Sequence, residues 1–293
     1  MFKVATWNIN SIRVRLPHVL AWLQEHSPDV LCLQEIKMLD ADFPVAAFEA
    51  LGYQVSVSGQ KTYNGVAIIS KHVMKDVVTA FPDFDDPQKR ILTATIGDVR
   101  IINLYIPNGS DVGSEKFHYK LTWLQHLKLF LTQELKQYQK IIVVGDFNIA
   151  PENDDVYDPQ AWQNQVLFSS QERAEFQEIL TLGFVDTFRL FAQPEKSYTW
   201  WDYRMAAFRR NMGLRIDHII ATPAVSAQCV SCIIDKKPRA LEQPSDHAPV
   251  VAELDFLVKF PWGLPAMTLL SPSSTSGGGT NLFEDQVGGG IAS

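Results

Sequence analysis

Short apolar runs recur along the chain from its first residues to about Phe256, and most are too short to be helices. Val30–Leu33, Val66–Ile69, Ile91–Ile96, Val99–Leu104, Ile141–Val144 and Ile216–Ile220 read as strands. Several are apolar at every position, which predicts that both of their faces are covered. Gly97-Asp98 between two of them predicts a hairpin turn. Val250–Phe256 alternates apolar and polar positions, as a strand with one wet face does. Helical patterns are fewer. Pro17 opens one, with Leu16, Val19, Leu20 and Leu23 near the 3.6-residue period. Phe117–Leu135 carries a longer stripe of leucines. Ser169 and Glu172 form a capping box for a third helix, which carries Phe176, Ile179 and Leu180 and stops at Gly183. Strands outnumber helices, and both hairpins and crossovers occur. The pattern predicts an α/β fold, two mixed sheets packed face to face with helices outside, as one domain over residues 1–256.

From residue 257 the pattern stops. Seven of the sixteen glycines fall in the last 37 residues, interspersed with Ser and Pro, and such a segment buries too little apolar surface to fold alone. Residues 257–293 are therefore expected to be a flexible tail, with a partner-binding peptide around Leu282-Phe283 as the alternative. The 293-residue chain has 26 basic and 33 acidic side chains, a formal charge of −7. That balance argues against holding nucleic acid through overall charge and requires a local basic patch or a metal for any polyanionic substrate. Three cysteines are too few for a disulfide framework and fit a reducing cytoplasm. Cys229 and Cys232 form a C-x-x-C, but no second pair accompanies it, so a short apolar strand over Cys229–Ile234 is the simpler reading. Neither an export signal nor a membrane span is expected.

The strands end in a recurring way. Lys3–Trp7 delivers Asn8, Val30–Leu33 delivers Glu35, Val99–Leu104 delivers Tyr105, and Ile141–Val144 delivers Asp146 and Asn148. Asp217 lies within Arg215–Ile220, and Asp246-His247 precedes the last strand. Each alone is explained by a turn or a cap. Together they assemble oxygen donors around one imidazole, which suits a hard divalent cation such as Mg²⁺. Asp246 beside His247 supplies a carboxylate to orient the imidazole. Metal, carboxylate base, amide and imidazole describe hydrolysis of a phosphate ester by activated water.

The stretches "TWNIN", "LCLQEIK", "NLYIPNG", "GDFNIAP", "YTWWDYR", "LRIDHI" and "PSDHAPV" resemble, in order and throughout residues 1–256, the exonuclease III family of abasic-site (AP) DNA repair endonucleases, within the endonuclease/exonuclease/phosphatase superfamily. The resemblance implies a deoxyribonuclease I-like four-layer sandwich with the site at one end of both sheets. It implies a Mg-dependent DNA repair nuclease that hydrolyses the phosphodiester 5′ to abasic sites in duplex DNA, with 3′→5′ exonuclease and 3′-phosphatase or phosphodiesterase activity. By the same resemblance Glu35 is the primary metal ligand, with Asn8 close by. Asp146 deprotonates or orients the attacking water and Asn148 positions it. Asp246 holds His247, which contacts the phosphate. Tyr105 hydrogen-bonds the phosphate or assists the leaving oxygen, and Asp217 orients the network. Asp146, Asn148, Asp246 and His247 are also candidate ligands for a second ion, so one or two Mg²⁺ are expected, with Mn²⁺ able to substitute. Two departures from the family pattern are Ile36, where a small polar residue is common, and the tail.

Between Lys196 and Arg215 stand five basic residues against one acid, Asp202, interleaved with Tyr198, Trp200, Trp201, Tyr203 and Phe208. One reading is a solvated loop over an aromatic core. Taken with Arg13, Arg15, Lys89 and Arg90, the pattern reads instead as a rim that tracks DNA phosphates, through Arg13, Arg90, Arg204, Arg209 and Arg210. The resemblance adds a small apolar pocket for a flipped abasic sugar, lined by Trp200, Leu214 and Ile216. The expected partner is double-stranded DNA with abasic sites or blocked 3′ ends. A cytoplasmic monomer is expected, nucleoid-associated when acting and without a membrane partner. A superfamily phosphodiesterase acting on a lipid head group or inositol phosphate is the rival enzyme, and a non-catalytic DNA-binding module the rival of another class.

Overall fold

Residues 1–256, 258 and 259 are described by the structure, a computed structural model. Among them twelve strands form two six-stranded mixed sheets. The first contains β1 (Phe2–Asn8), β2 (Val30–Gln34), β3 (Gln54–Ser58), β4 (Val66–Ser70), β11 (Cys229–Ile234) and β12 (Val250–Leu254), in the order β11-β12-β1-β2-β4-β3. The second contains β5 (Met74–Val78), β6 (Ile91–Ile96), β7 (Val99–Tyr105), β8 (Ile141–Asp146), β9 (Val185–Asp186) and β10 (Asp217–Ala221), in the order β5-β6-β7-β8-β10-β9. Between the sheets lies a dry layer that includes Val30, Cys32, Ile68, Ala94, Ile101, Ile142, Val144 and Ile219.

Three longer helices cover the outer faces. The first, α1 (Ile12–His26), packs Ile12, Val19, Trp22 and Leu23 against Leu31, Leu33 and Ile69 of the first sheet. On the second sheet, α2 (Glu115–Gln137) and α3 (Ser170–Thr181) set Leu124, Leu127, Leu131, Phe176 and Ile179 against Ile102, Ile141 and Val143. Four layers result, and the central strands read as continuous apolar runs because both of their faces are covered.

Local chemistry explains several element ends. The Ser169–Glu172 capping box opens α3, and Ser114 caps α2 by accepting from the Phe117 amide. Gly97, at φ +58°, turns β6 into β7 with Ile96 opposite Val99. Pro17, in contrast, does not open α1: it is the sixth residue of a helix that begins at Ile12. That start has no side-chain cap. It is fixed instead by backbone bonds from Ser11 and Ile12 to the carbonyls of Glu35 and Ile36, a tertiary cause that no local pattern carries. The Cys229–Ile234 segment is β11. Its thiols are free, and burial pushes Cys229 up to about 11 and Cys232 up to about 12, opposite to a metal-binding or redox thiol. Val258 packs against the layer between the sheets, and the Lys259 amide donates to Asp98 (2.9 Å). The rest of the expected tail lies outside the described residues.

Candidate active site

Strand pairing brings the polar strand ends together. β1 and β2 run parallel with Asn8 opposite Gln34, which puts Asn8 and Glu35 at one end of the first sheet. β7 and β8 run parallel with Tyr105 opposite Asp146, and antiparallel β10 begins with Asp217 opposite Asp146. β12 enters antiparallel to β1 from the same end, so His247 arrives just before it. Glycine at 145 is required here. At φ +146° a Cβ would lie 1.9 Å from the Leu104 carbonyl oxygen, and the close approach of β8 to β7 would be lost.

Glu35 sits at φ +50°, and its Oε1 accepts from Asn8 Nδ2 (2.9 Å) and from the Tyr105 hydroxyl (2.9 Å). Lys37 Nζ lies 2.9 Å from its other oxygen and donates to Asn10 Oδ1 (2.6 Å). The buried Asp146 accepts from Asn8 Nδ2 (2.9 Å) and from the Asn148 backbone amide (2.9 Å) and side chain (3.3 Å). Asn148, at φ +51°, also donates to the Ile106 carbonyl (2.9 Å) and accepts from Asn108 (3.2 Å). Gln34 and Asn103 join the two sheets behind this group through a 2.8 Å bond, with Asn103 donating to the carbonyls of Leu33 and Ala67.

The carboxylate that orients the imidazole is Asp217, not Asp246. Asp217 Oδ2 accepts from His247 Nδ1 (2.8 Å), and Nε2 faces Asp146 at 3.8 Å. Asp246 lies in a bend just before His247. Its carboxylate turns to Trp200 Nε1 (3.0 Å) and Asn10 Nδ2 (3.0 Å). Burial opposes a charged imidazole, but Asp217, Asp146 and Asp246 outweigh it and push His247 up to about 10. Burial pushes Asp146 up to about 7; His247 pulls it down, and Asp217 and Glu35 add to burial. Burial and then Glu35 raise Tyr105 well above its ordinary value, which leaves a hydroxyl that donates rather than a base.

The donor atoms of Glu35, Asp146 and His247 lie within 4.8 Å of one another. Two carboxylates this close fit a cation between them, and His247 is the third member of the cluster. His247 gives Nδ1 to Asp217, which leaves Nε2 facing Asp146. Asn8 turns its nitrogen to both carboxylates while its oxygen accepts from the Asn10 amide (3.0 Å). Asn148 gives its oxygen to Asn108, and Asp246 lies outside the cluster. Of the second-ion set, Asp146 and His247 lie in this cluster and Asn148 adjoins it through Asp146.

The DNA-facing residues divide. Arg13, Arg204, Arg209 and Arg210 are exposed. Arg90 is nearly buried: it bonds the Tyr105 carbonyl (3.1 Å) and Gln88, and its guanidinium lies 4.6 Å from the centre of the Tyr105 ring. Its charge is used to hold Tyr105 instead of standing free on the rim. Arg215, one of the five basic residues of that segment, is buried between Asp155 and Asp186. Leu214 and Ile216 are buried in an apolar cluster against which the half-buried Trp200 packs. Asn10, Lys37 and Asn108 were missed as site residues, although all three lie inside the motifs already quoted. Their signal was a polar residue two or three positions beyond a strand end.

A histidine whose pKa is raised on folding stabilises the fold fully below its unfolded value, 6.5, and loses that contribution as pH rises through its folded value. In metal-free protein, the melting-temperature advantage of wild type over His247→Gln should therefore shrink as pH rises from 6.5 toward about 10. A difference that stays flat across that range would contradict the Asp217–His247 ion pair.

A profile of the endonuclease/exonuclease/phosphatase family matches residues 5–247. The exodeoxyribonuclease III of Haemophilus influenzae is 38% identical over 265 residues, spanning 86% of this chain and 99% of its own. The 3′ phosphatase NExo from Neisseria, solved bound to a product DNA hairpin, is 47% identical with a TM-score of 0.86, over 87% of this chain and 100% of that one. An AP endonuclease from Archaeoglobus fulgidus is 43% identical with a TM-score of 0.85 over the same shares. Matched along nearly its whole described length, with the polar strand ends falling inside the match, the chain belongs to the endonuclease/exonuclease/phosphatase family, on its exodeoxyribonuclease III branch.

Proposed function

We propose that the protein is a metal-dependent DNA repair nuclease. Its substrates are duplexes with abasic sites, cleaved on the 5′ side, and duplexes with recessed or blocked 3′ ends. The observation that carries this reading is the approach of Glu35, Asp146 and an Asp217-bound His247 to within 4.8 Å at one end of both sheets. Glu35 and Asp146 would hold one Mg²⁺, with Mn²⁺ as substitute. The ion supplies charge neutralisation at the phosphate that two carboxylates alone would repel. His247, cationic and fixed through Nδ1, offers its Nε2–H to a phosphate oxygen and stabilises the charge that grows there. Asp146 takes the proton of the attacking water, and the Asn148 side chain and amide hold that carboxylate in place. Tyr105 donates its hydroxyl hydrogen toward the leaving oxygen. Action as a monomer in the cytoplasm, at the nucleoid, accords with this reading. A single assay on duplexes carrying an abasic site, a 3′-phosphate or a plain recessed 3′ end, with and without Mg²⁺, tests it. Mg²⁺-dependent cleavage of at least the abasic duplex is expected, and inertness on all three would refute it.

Trp200 is the residue to which the recognition of abasic sugars is assigned. A baseless sugar is small and loses no pairing when it swings out. An apolar wall at Trp200 over Leu214 and Ile216 accepts that sugar more readily than a whole nucleotide. Trp200→Ala should lower abasic-site cleavage about tenfold or more, the loss expected for one aromatic contact of ~1–3 kcal/mol. The salt dependence of binding should hardly change, because Arg209 and Arg210 remain. Trp200→Phe separates the two roles of the indole, since it keeps the wall and drops the bond to Asp246. Full abasic preference in Trp200→Ala would place discrimination elsewhere.

A further inference from the structure

Behind the site stands a charge that the chemistry above does not use. Lys120 on α2 and Glu172 on α3 are both fully buried, and neither reaches the catalytic cleft. The Lys120 ammonium has three donors. One goes to the Glu172 carboxylate, one to the Asn148 carbonyl (2.6 Å) and one to the Asn108 carbonyl (3.1 Å). Those carbonyls belong to the loops that leave β8 and β7, just beyond Asp146 and Tyr105. Burying an ion pair costs several kcal/mol per ion, and an apolar pair of similar volume often serves stability as well. The ion pair alone therefore does not account for a lysine here. The two carbonyls do, since no apolar side chain could satisfy them.

The geometry forward of the ammonium indicates what is held. Asn148 adopts φ +51°, a conformation that costs a non-glycine residue free energy and needs its surroundings to enforce it. With its carbonyl drawn back to Lys120, its backbone amide and side chain point forward to Asp146, and its oxygen accepts from Asn108, the other residue Lys120 holds. Glu172 balances the ammonium from the α3 side. As the capping-box residue of α3 it accepts from the Ser169 amide (3.0 Å) and the Leu167 amide (2.9 Å), so both helices converge on one ammonium. We propose that Lys120 is a positioning residue, which locks the Asn108 and Asn148 loops and thereby the orientation of the Asp146 carboxylate. The proposal rests on the nuclease reading for its effect on rate, but not for its effect on the loops.

The test compares Lys120→Met, Glu172→Gln and the double variant with wild type, below the melting temperature of each. Glu172→Gln weakens the same ion pair but leaves Lys120 on both carbonyls. The double variant removes Lys120 without stranding a buried carboxylate, so it reports even if Lys120→Met fails to fold. In variants lacking Lys120, amide hydrogen exchange over residues 106–110 and 146–150 should speed up about tenfold, one hydrogen bond's worth of protection. Their kcat should fall about a hundredfold with KM unchanged, as for a misplaced catalytic group. Glu172→Gln should lower the melting temperature yet leave loop exchange and kcat near wild type. If the double variant matches Glu172→Gln in loop exchange and kcat, Lys120 is a structural salt bridge and the proposal is overturned. If wild type cleaves no DNA, the nuclease reading fails, while the exchange comparison still decides whether Lys120 holds the loops.

Discussion

Asp146→Asn is expected to lower the single-turnover rate of DNA cleavage about a thousandfold, in the middle of the range for loss of a general base. The substitution keeps size and shape, so what it changes is charge and donor pattern. Asp146 now accepts from Asn8 and from the Asn148 amide and side chain, and it faces His247 at 3.8 Å. An amide there would turn its own NH₂ toward at least one of those donors and could take no proton from water. At saturating Mg²⁺, which offsets the loss of one of the two carboxylates proposed to hold the ion, DNA affinity should not weaken, because one negative charge leaves a site that receives a polyanion. The prediction is therefore a fall in rate with binding preserved, measured by rapid quench with saturating enzyme. A variant within tenfold of wild type would remove Asp146 from the chemistry.

Glu35→Gln is expected to act on metal dependence first. The half-saturating Mg²⁺ concentration should rise about tenfold or more, the scale of loss when a metal site's ligand set is disturbed. Glutamine keeps a hydrogen-bond acceptor for Asn8 and Tyr105 and bears the same left-handed backbone at φ +50°, so the local fold should persist. The ion pair with Lys37 would be lost, which isolates the charge of Glu35 as the variable. Mg²⁺ titrations of wild type and variant with one substrate check this, and coincident curves would show that Glu35 is not where the ion is held.

Most of the strands whose ends build the site were legible, because they are apolar runs bounded by a polar residue. Two-sided burial produces the first feature and a shared functional end the second. Two edge strands, β3 and β5, were not legible. β3 and β5 mix exposed and part-buried positions, so Gln54–Ser58 and Met74–Val78 lack an apolar run. The start of α1 was missed because backbone bonds to the Glu35 loop set it, and those depend on the finished fold.

Within the site, residue types were easier to read than partners. Asp246 adjoins His247 in sequence, yet its carboxylate faces Trp200 and Asn10, and Asp217 reaches His247 from the other sheet. Arg90 looked like a surface cation because sequence gives charge without burial, and only packing shows it spent on Tyr105. Lys120 was invisible for a related reason. A lysine on an amphipathic helix reads as solvated, and the two carbonyls it serves are backbone atoms that any sequence possesses.

The central claim is that one metal-dependent centre of Glu35, Asp146 and His247 hydrolyses the DNA backbone. Its most direct test is the single-turnover cleavage of an end-labelled duplex with one abasic site, by wild type and His247→Gln, with Mg²⁺ present or chelated. Cleavage 5′ to the abasic site by wild type should require Mg²⁺, and His247→Gln should be slower by about a hundredfold or more at every Mg²⁺ concentration, as when a transition-state donor is lost. Cleavage by wild type that persists under chelation, or a His247→Gln variant as fast as wild type, would contradict it.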